Sequence, residues 1–372
     1  MDVRLIIETL YVFILSLLLG MIVIPRILLI SFKKRLFDEP DSRKVHHGKV
    51  PRLGGTAFFP SIALAVFSVI VIHDKLFRGD LLTVPLTIQL MTTCCSLFLL
   101  YVTGIMDDLI GVRYSSKFLI QGICGILIVS SDLYINNFYG LFGIYEIPTW
   151  IGAPFTVLIT IYILNAINLI DGIDGLASGL SGITLLSLGC IFVYLHEYLY
   201  SFFAFASLGV LIPFFYYNVF GRVERKRKIF MGDTGSLTIG LVLSILTIKL
   251  SMYEPEKEMQ IPGAIVIAFS FLLVPMLDVV RVFLHRLREG NNPFQPDNNH
   301  IHHKFIALGF PKRRVMITII GISAMYSLIN VCAIHFIPIT PLFMLNIITW
   351  TVMHILLTRQ INRIKESKKD AI

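Results

Sequence analysis

What most constrains this chain is a recurrence of apolar runs, each about as long as a bilayer is thick. Crossing ~30 Å of hydrocarbon takes about 20 predominantly apolar residues in a helix. Segments at 5–27, 54–73, 83–106, 117–131, 150–168, 176–196, 201–219, 235–252, 261–284, 315–335 and 339–358 come near that length, the fourth being the shortest. Backbone amides in hydrocarbon must be satisfied within their own segment, so such runs fold as helices. Charged residues make up only 15% of the 372 residues and hydrophobic ones 55%, whereas a typical soluble domain is about a quarter charged. Too little polar surface remains to cover a soluble globule. Disorder, a disulfide scaffold and a soluble nucleic-acid binder are excluded. The expectation is one all-α polytopic membrane domain over residues 1–372 with about 11 transmembrane helices, and no internal repeat or low-complexity linker interrupts it.

Cys94, Cys95, Cys124, Cys190 and Cys332 all fall in apolar runs without a CxxC pair, and read as small buried hydrophobes. The first run lacks a basic flank and a small-residue cleavage site, so it reads as an uncleaved span.

Lysine and arginine set the orientation. The segments 31–53, 107–117, 165–175, 218–230, 281–314 and 359–372 together hold 26 of the 32 basic residues. The opposite side holds Arg4, Lys75, Arg78, Lys249 and Lys257, and Arg26 ends the first run. Acidic residues divide 14 to 10, so the bias is specific to positive charge. The basic side is expected in the cytoplasm, with the amino terminus outside and the carboxyl terminus inside. The runs 225–228 and 365–369 read mainly as this positive-inside signal.

Chemistry-bearing residues gather in five clusters on that same side. The first is DEPDSRKVHHGKVPRLGG, from Asp38 to Gly55. Asp107 and Asp108 follow the third run, with Lys117 nearby. Asn165, Asn168, Asp171 and Asp174 recur every three residues and end in glycines. On an α-helix that spacing spirals over half the circumference. Gly172 and Gly175 therefore suggest that the helix stops and the aspartates turn inward from a loop. Asp233 sits in FMGDTGS, whose flexible backbone can present amides to an anion. After the ninth run come Asp278, Arg281 and NPFQPDNNHIHH, ending in His300, His302 and His303.

Each cluster has a plainer reading: a capping pair, a glycine turn, a helix N-cap, a solvated histidine loop. Adjacent acids beside hydrocarbon, however, need a cation, a base or water to compensate them. Zinc is disfavoured at the histidines, because no cysteine accompanies them and the acids prefer a hard, oxygen-seeking ion. Mg²⁺ commonly takes one or two carboxylates plus substrate phosphates. No Gly-x-x-x-x-Gly-Lys loop is present, so P-loop ATP hydrolysis is not supported. The combination fits phosphoryl chemistry at the inner membrane face between a phosphorylated lipid and a soluble nucleotide.

The ordered set DD, NxxNxxDGxDG, FMGDTGS and PFxPDxxHIHH, from about Asp38 to His303, resembles the polyprenyl-phosphate N-acetylhexosamine-1-phosphate transferase family. Its last motif is similar to the bacterial GlcNAc-1-phosphate branch more than to phospho-MurNAc-pentapeptide translocase. Asn298 departs from the pattern, since many members carry Arg or Lys after the aspartate.

The resemblance implies that undecaprenyl phosphate attacks the β-phosphorus of a UDP-N-acetylhexosamine, with GlcNAc the favoured sugar. UMP leaves, and a lipid-linked surface glycan is started. It implies Asp107 as the group deprotonating the lipid phosphate, Asp108 supporting it or the metal, and Asp233 binding Mg²⁺, for which Mn²⁺ could substitute. Asn168, Asp171 and Asp174 match nucleotide-sugar contacts, and Asn218 and Phe230 match uracil-binding positions. Lys117, His300, His302 and His303 match the phosphate and sugar end. Direct attack and a phospho-aspartyl intermediate both remain open. The implied partners are the UDP-sugar, undecaprenyl phosphate and membrane lipids, with no nucleic acid and with room for a homodimer, in the bacterial cytoplasmic membrane. A cation-coupled transporter is the rival reading, but its ionisable groups would lie near mid-span and not at one face. An aspartyl protease would need a second motif, and an aromatic prenyltransferase leaves the histidines without a role.

The basic bias makes a topology prediction. Reporter fusions after Lys117, Lys228 and Lys304 should all report cytoplasm, and one after Glu256 the outside. Any of the first three reporting outside would divide the clusters between two compartments.

Overall fold

The structure is a computed structural model that describes residues 3–37, 50–77, 81–257, 259–290 and 299–369. Most of the first loop (38–49) and residues 291–298, with Asp297 and Asn298, lie outside the described residues.

The elements follow the apolar runs. They are α1 (Val3–Lys34), a 3-10 turn (Leu53–Ala57), α2 (Phe58–Phe77), α3 (Val84–Ile110), α4 (Tyr114–Val129), α5 (Thr149–Ile170), α6 (Leu176–Tyr194), α7 (Tyr198–Val219), α8 (Gly232–Ser251), α9 (Ala264–Ser270), α10 (Leu273–Arg288), α11 (Ile301–Ala307), α12 (Lys312–Ala333) and α13 (Ile339–Lys369). One antiparallel hairpin, β1 (Asn137–Leu141) and β2 (Ile144–Glu146), links α4 to α5. The molecule is an all-α multi-pass membrane protein. Among the described residues, nine helices are long and apolar enough to cross a bilayer.

Two of the expected spans differ. The fourth is a helix of only 16 residues. The ninth is broken, α9 and α10 meeting at 78°. Pro275 lies in the first turn of α10. Its ring would clash with the carbonyl four residues back, at Phe271, and it has no N–H to give, so a continuous helix fails there.

α8 is the axis of the bundle. Every residue from Thr234 to Ser251 is buried, the serines, threonines and Lys249 along with the apolar side chains. α3, α5, α6 and α7 pack against it. Its 20 residues rise ~30 Å, enough to join the two faces of a membrane.

Small residues set the closest approaches, as is common where lipid supplies no hydrophobic drive between helices. Between α1 and α7, Ser16 Oγ donates to the Ala206 carbonyl at 2.6 Å, and a Cβ on Gly209 would lie 2.5 Å from the Phe13 carbonyl oxygen. At the start of α8 the packing is backbone on backbone. A Cβ on Gly55 would lie 2.1 Å from the Gly235 nitrogen, and one on Gly104 would lie 2.4 Å from the Thr234 Cα. The amides of Gly54 and Gly55 donate to the carbonyls of Phe230 (3.0 Å) and Met231 (2.9 Å), and Phe230 N–H donates to Pro51 at 2.8 Å. The Pro-Arg-Leu-Gly-Gly segment is thus a strip of backbone laid against the start of α8. At the other end of α8, Lys249 and Lys257 pair with Glu254 at 2.6 and 2.9 Å, and Lys257 also binds Glu197.

All five cysteines are unpaired, but only Cys124 is buried as the sequence reading expected. Cys95, Cys190 and Cys332 face outward. In a bilayer an outward face meets hydrocarbon, so an apolar position there need not be a core position.

Gly104→Val should therefore push α3 off α8 at an overpacking cost of about 1–3 kcal/mol. The detergent-purified variant should melt clearly below the parent. Gly122→Ala is the control, since a Cβ there meets nothing nearer than 3.9 Å. Equal melting of both variants would contradict the close contact.

Candidate active site

Asp107 and Asp108 end α3, and adjacent helical residues diverge by about 100°. Their carboxylates accordingly do different things. Asp108 turns to α8 and accepts from the Asp233 amide (2.8 Å), the Thr234 amide (3.0 Å) and the Thr234 hydroxyl (2.6 Å). The first amides of a helix have no partner within it and carry its positive end. Here a carboxylate from another helix satisfies them. Gly232 makes this possible, with φ +70° and a missing Cβ that would lie 2.5 Å from Asp108 Oδ2. The sequence reading offered these amides to an outside anion and gave Asp108 a catalytic or metal role. In the structure the anion at these amides is Asp108 itself, which holds the helix that carries Asp233.

Asp107 turns the other way. Its Oδ2 pairs with Lys117 Nζ at 2.5 Å, and its Oδ1 accepts from the Val112 amide at 2.6 Å. Lys117, from α4, also lies 3.5 Å from Asp233 Oδ2. Asn168, from α5, donates its amide to Asp233 Oδ1 and to Ser236 Oγ, the latter at 2.8 Å. Four helices thereby bring Asp107, Lys117, Asn168 and Asp233 together. Asn165 is not among them, since its amide packs α5 on α4 through Gln121 at 2.7 Å.

The aspartate-glycine loop forms as its glycines require. α5 stops at Ile170, Asp171 caps it, and Gly175 (φ +78°) starts α6. Asp174 is held by Lys228 at 2.6 Å. Lys228 belongs to a run read as mere positive-inside charge, yet it turns into the site. Asp171 is half-buried. Burial first, then the carboxylates of Asp174 and Asp233, push its carboxyl up to about 7, with Arg52 opposing. Asn218 is buried with its amide fully used: it accepts from Gly175 N–H at 2.7 Å and donates to the Ile229 carbonyl at 2.8 Å. It ties the aspartate loop to the segment before α8. Phe230 is half-exposed beside it, its backbone fixed by Pro51 and Gly54.

The histidines are mounted on Asp278 of α10, which is fully buried. Its carboxylate accepts from Arg281 at 2.8 Å, from the Ile301 amide at 3.1 Å and from His300 Nδ1 at 2.9 Å. The last contact fixes the His300 proton on Nδ1 and leaves Nε2 as the other face. His302 lies on the aspartate loop, where a Cβ on Gly172 would meet its Nε2 at 2.4 Å. Burial, then the neighbouring His303 and His300, pull its pKa down to about 3. His302 is therefore neutral and packs as a wedge under the loop. His303 packs on it with ring centroids 4.2 Å apart. Asp278 and Arg281 were visible as a polar pair after an apolar run, but nothing in spacing marked them as the support of the histidine loop.

Five carboxylates, Asp107, Asp108, Asp171, Asp174 and Asp233, thus share one region with two paired ammonium groups, Lys117 and Lys228. Among the described residues no three Asp, Glu, His or Cys side chains form a ready-made metal cage. An excess of carboxylate without a cage fits Mg²⁺, which completes its shell with water and phosphate oxygens. Asp233, already drawn to the Lys117 ammonium, is the residue that fits it.

The raised Asp171 sets a pH dependence. Its carboxyl moves from 3.8 to about 7 on folding, so folded protein retains a proton that the unfolded chain has released. Stability is full below pH 4 and is lost as pH rises through 7. Asp171→Asn should match the parent's melting temperature near pH 4 and exceed it at pH 8. A variant that melts below the parent at pH 8 would contradict this.

Residues 89–251 match the family described as glycosyl transferase family 4. The chain is 33% identical over 317 residues to a probable undecaprenyl-phosphate N-acetylglucosaminyl 1-phosphate transferase of Bacillus subtilis, covering 85% of this chain and 82% of that protein. It is 28% identical over 318 residues to the undecaprenyl-phosphate alpha-N-acetylglucosaminyl 1-phosphate transferase of Escherichia coli K12, covering 83% and 80%. A Yersinia pestis protein of the same name is 26% identical over a similar span. On this likeness along most of its length, the chain belongs to glycosyl transferase family 4, the polyprenyl-phosphate N-acetylhexosamine-1-phosphate transferases that its motifs resemble.

Proposed function

We propose that this protein transfers GlcNAc-1-phosphate from UDP-GlcNAc to undecaprenyl phosphate at the cytoplasmic face of the bacterial inner membrane, releasing UMP. The observation that carries the reading is the meeting of Asp107, Lys117, Asn168 and Asp233 at one end of α8, against the loop of Asp171 and Asp174. Both substrates are anions, one soluble and one buried in lipid to its phosphate. A site for both must sit where helices end at the interface and must supply cations.

Asp233 would hold Mg²⁺. When bound, the ion neutralises charge on the pyrophosphate and on the departing UMP; Mn²⁺ offers the same hard-acid chemistry. Asn168 and the Asp108-held helix start fix where Asp233 points, so the carboxylate needs little rearrangement when substrate arrives. Asp107 is the base that takes the lipid phosphate's proton. Lys117, exchanging Asp107 for a phosphate oxygen, brings a positive charge to the reacting group. Asp171 and Asp174 orient the nucleotide sugar, and Lys228 holds Asp174 in place. His300, set by Asp278, presents Nε2 toward the sugar-phosphate end, while neutral His302 keeps the loop in register. The chain creates no new nucleophile, and placement of the lipid phosphate against the β-phosphorus supplies most of the rate.

The test is product formation by detergent-purified protein given undecaprenyl phosphate, Mg²⁺ and a panel of UDP-sugars. Lipid-linked GlcNAc and UMP should appear together, with UDP-GlcNAc used far better than UDP-MurNAc-pentapeptide. Asp233→Asn keeps size and hydrogen-bonding reach but removes the charge. It should fold and lose on the order of a thousandfold in rate, several kcal/mol of transition-state stabilisation. Asp107→Asn should be inactive yet retain Mg²⁺-dependent UDP-GlcNAc binding. A folded Asp233→Asn protein with near-parental turnover at limiting Mg²⁺ would overturn the metal assignment.

A further inference from the structure

One lysine is shared by two carboxylates of the reaction centre. Lys117 lies in the first turn of α4, and its Nζ is 2.5 Å from Asp107 Oδ2 and 3.5 Å from Asp233 Oδ2. The two aspartates come from different helices, α3 and α8. Like charges brought together disfavour each other, and a shared ammonium offsets that cost.

The other oxygens of these aspartates are engaged. Asp107 Oδ1 accepts from the Val112 amide at 2.6 Å, and Asp233 Oδ1 accepts from the Asn168 amide. Asp108 uses both of its oxygens on the start of α8. Asp233 Oδ2, which faces Lys117, is therefore the oxygen that a second cation reaches with the least rearrangement. The Asp233 side chain is 24% exposed and that of Asp107 only 7%, so an ion from solution meets Asp233 first.

Mg²⁺ sits about 2 Å from a carboxylate oxygen. An ammonium 3.5 Å from the same oxygen then lies no more than about 5.5 Å from the ion, whatever the direction of approach. Two cations so close in a partly buried site repel unless further negative charge is supplied. Lys117 is the group able to yield. Its charge is a compact ammonium on a flexible four-carbon stem, and its side chain is 23% exposed.

We propose that Lys117 competes with Mg²⁺ for Asp233: the ammonium sets the affinity of the site for the metal, and metal binding releases it to a substrate phosphate. This rests on the reading of Asp233 as the metal ligand and deepens it. Phosphate oxygens supply the negative charge that lets both cations remain, so metal and nucleotide sugar bind more tightly together than apart.

The test titrates detergent-purified full-length protein with Mg²⁺ alone, at about pH 8.5 to keep carboxylates ionised. The rise in melting temperature gives the dissociation constant. Lys117→Met keeps most of the stem and loses the charge, whereas Lys117→Arg keeps the charge. The Met variant should bind Mg²⁺ about tenfold or more tightly than the parent. The Arg variant should stay within about threefold of the parent. In saturating Mg²⁺, Lys117→Met should bind UDP-GlcNAc about tenfold more weakly, an opposite change that a merely structural loss does not produce. Mg²⁺ binding that is unchanged or weaker in Lys117→Met overturns the competition, and so does equal tightening in both variants. UDP-GlcNAc binding that Lys117→Met leaves intact overturns the release to phosphate. Asp233→Asn separates this inference from the reading beneath it: Mg²⁺ binding that survives in that variant refutes the metal ligand, and the competition with it.

Discussion

The arrangement depends on the carboxylate of Asp108. It accepts three hydrogen bonds from the first residues of α8, at 2.6 to 3.0 Å, and so joins α3 to the central helix at the point where the chemistry is placed. The start of a buried helix is a poor place to leave amides unanswered, because unsatisfied polar groups are costly away from water. A serine or threonine cap would have satisfied one amide locally. A carboxylate from a different helix satisfies two amides and a hydroxyl, and in doing so fixes the register of α3 against α8. Asp107, the neighbour of Asp108, is thereby delivered beside Asp233, the neighbour of Thr234. Of two consecutive aspartates, one joins α3 to α8 and the other is brought to Lys117 beside Asp233.

The glycines follow from this contact. For Asp108 to reach the α8 amides, the two backbones must approach within van der Waals distance, and Gly104, Gly232 and Gly55 each lie where a Cβ would collide with backbone or with Asp108. The Pro-Arg-Leu-Gly-Gly segment completes the fit from a third side by backbone hydrogen bonds to Phe230 and Met231. Flexibility is not what these glycines contribute. They permit contact, and the outcome is a rigid start to α8.

Much of this was legible in the sequence, and the reasons for the rest are physical. Apolar run length gave the helices, because a bilayer imposes one thickness on all of them. The halt of the helix before Asp171 could be read from Gly172 and Gly175. Charge spacing could not separate Asp107 from Asp108, since that depends on which neighbour lies 100° around the helix. Nor could it show that Asn218 and His302 hold loops in place; their residue types suit ligand contacts equally well, and only long-range packing decides. Asp278 was named in its cluster without a role, for the same reason. Its partners, His300 and the Ile301 amide, lie 22 and 23 residues further along the chain.

The break between α9 and α10 ties the fold to the chemistry. A straight ninth span would carry its polar end directly into solvent, on a line with the rest of the helix. α9 and α10 are set at 78°, and Asp278 is buried near the start of α10 while Arg281 and Arg286 follow along it. A buried carboxylate needs partners, and it takes them from the next segment, binding His300 and the first amide of α11. α11 is only seven residues long, too short to be stable alone in water, so Asp278 and the packing of His302 on Gly172 hold it in place. The histidine motif is therefore positioned from both sides by aspartate-bearing elements, one in α10 and one in the loop after α5.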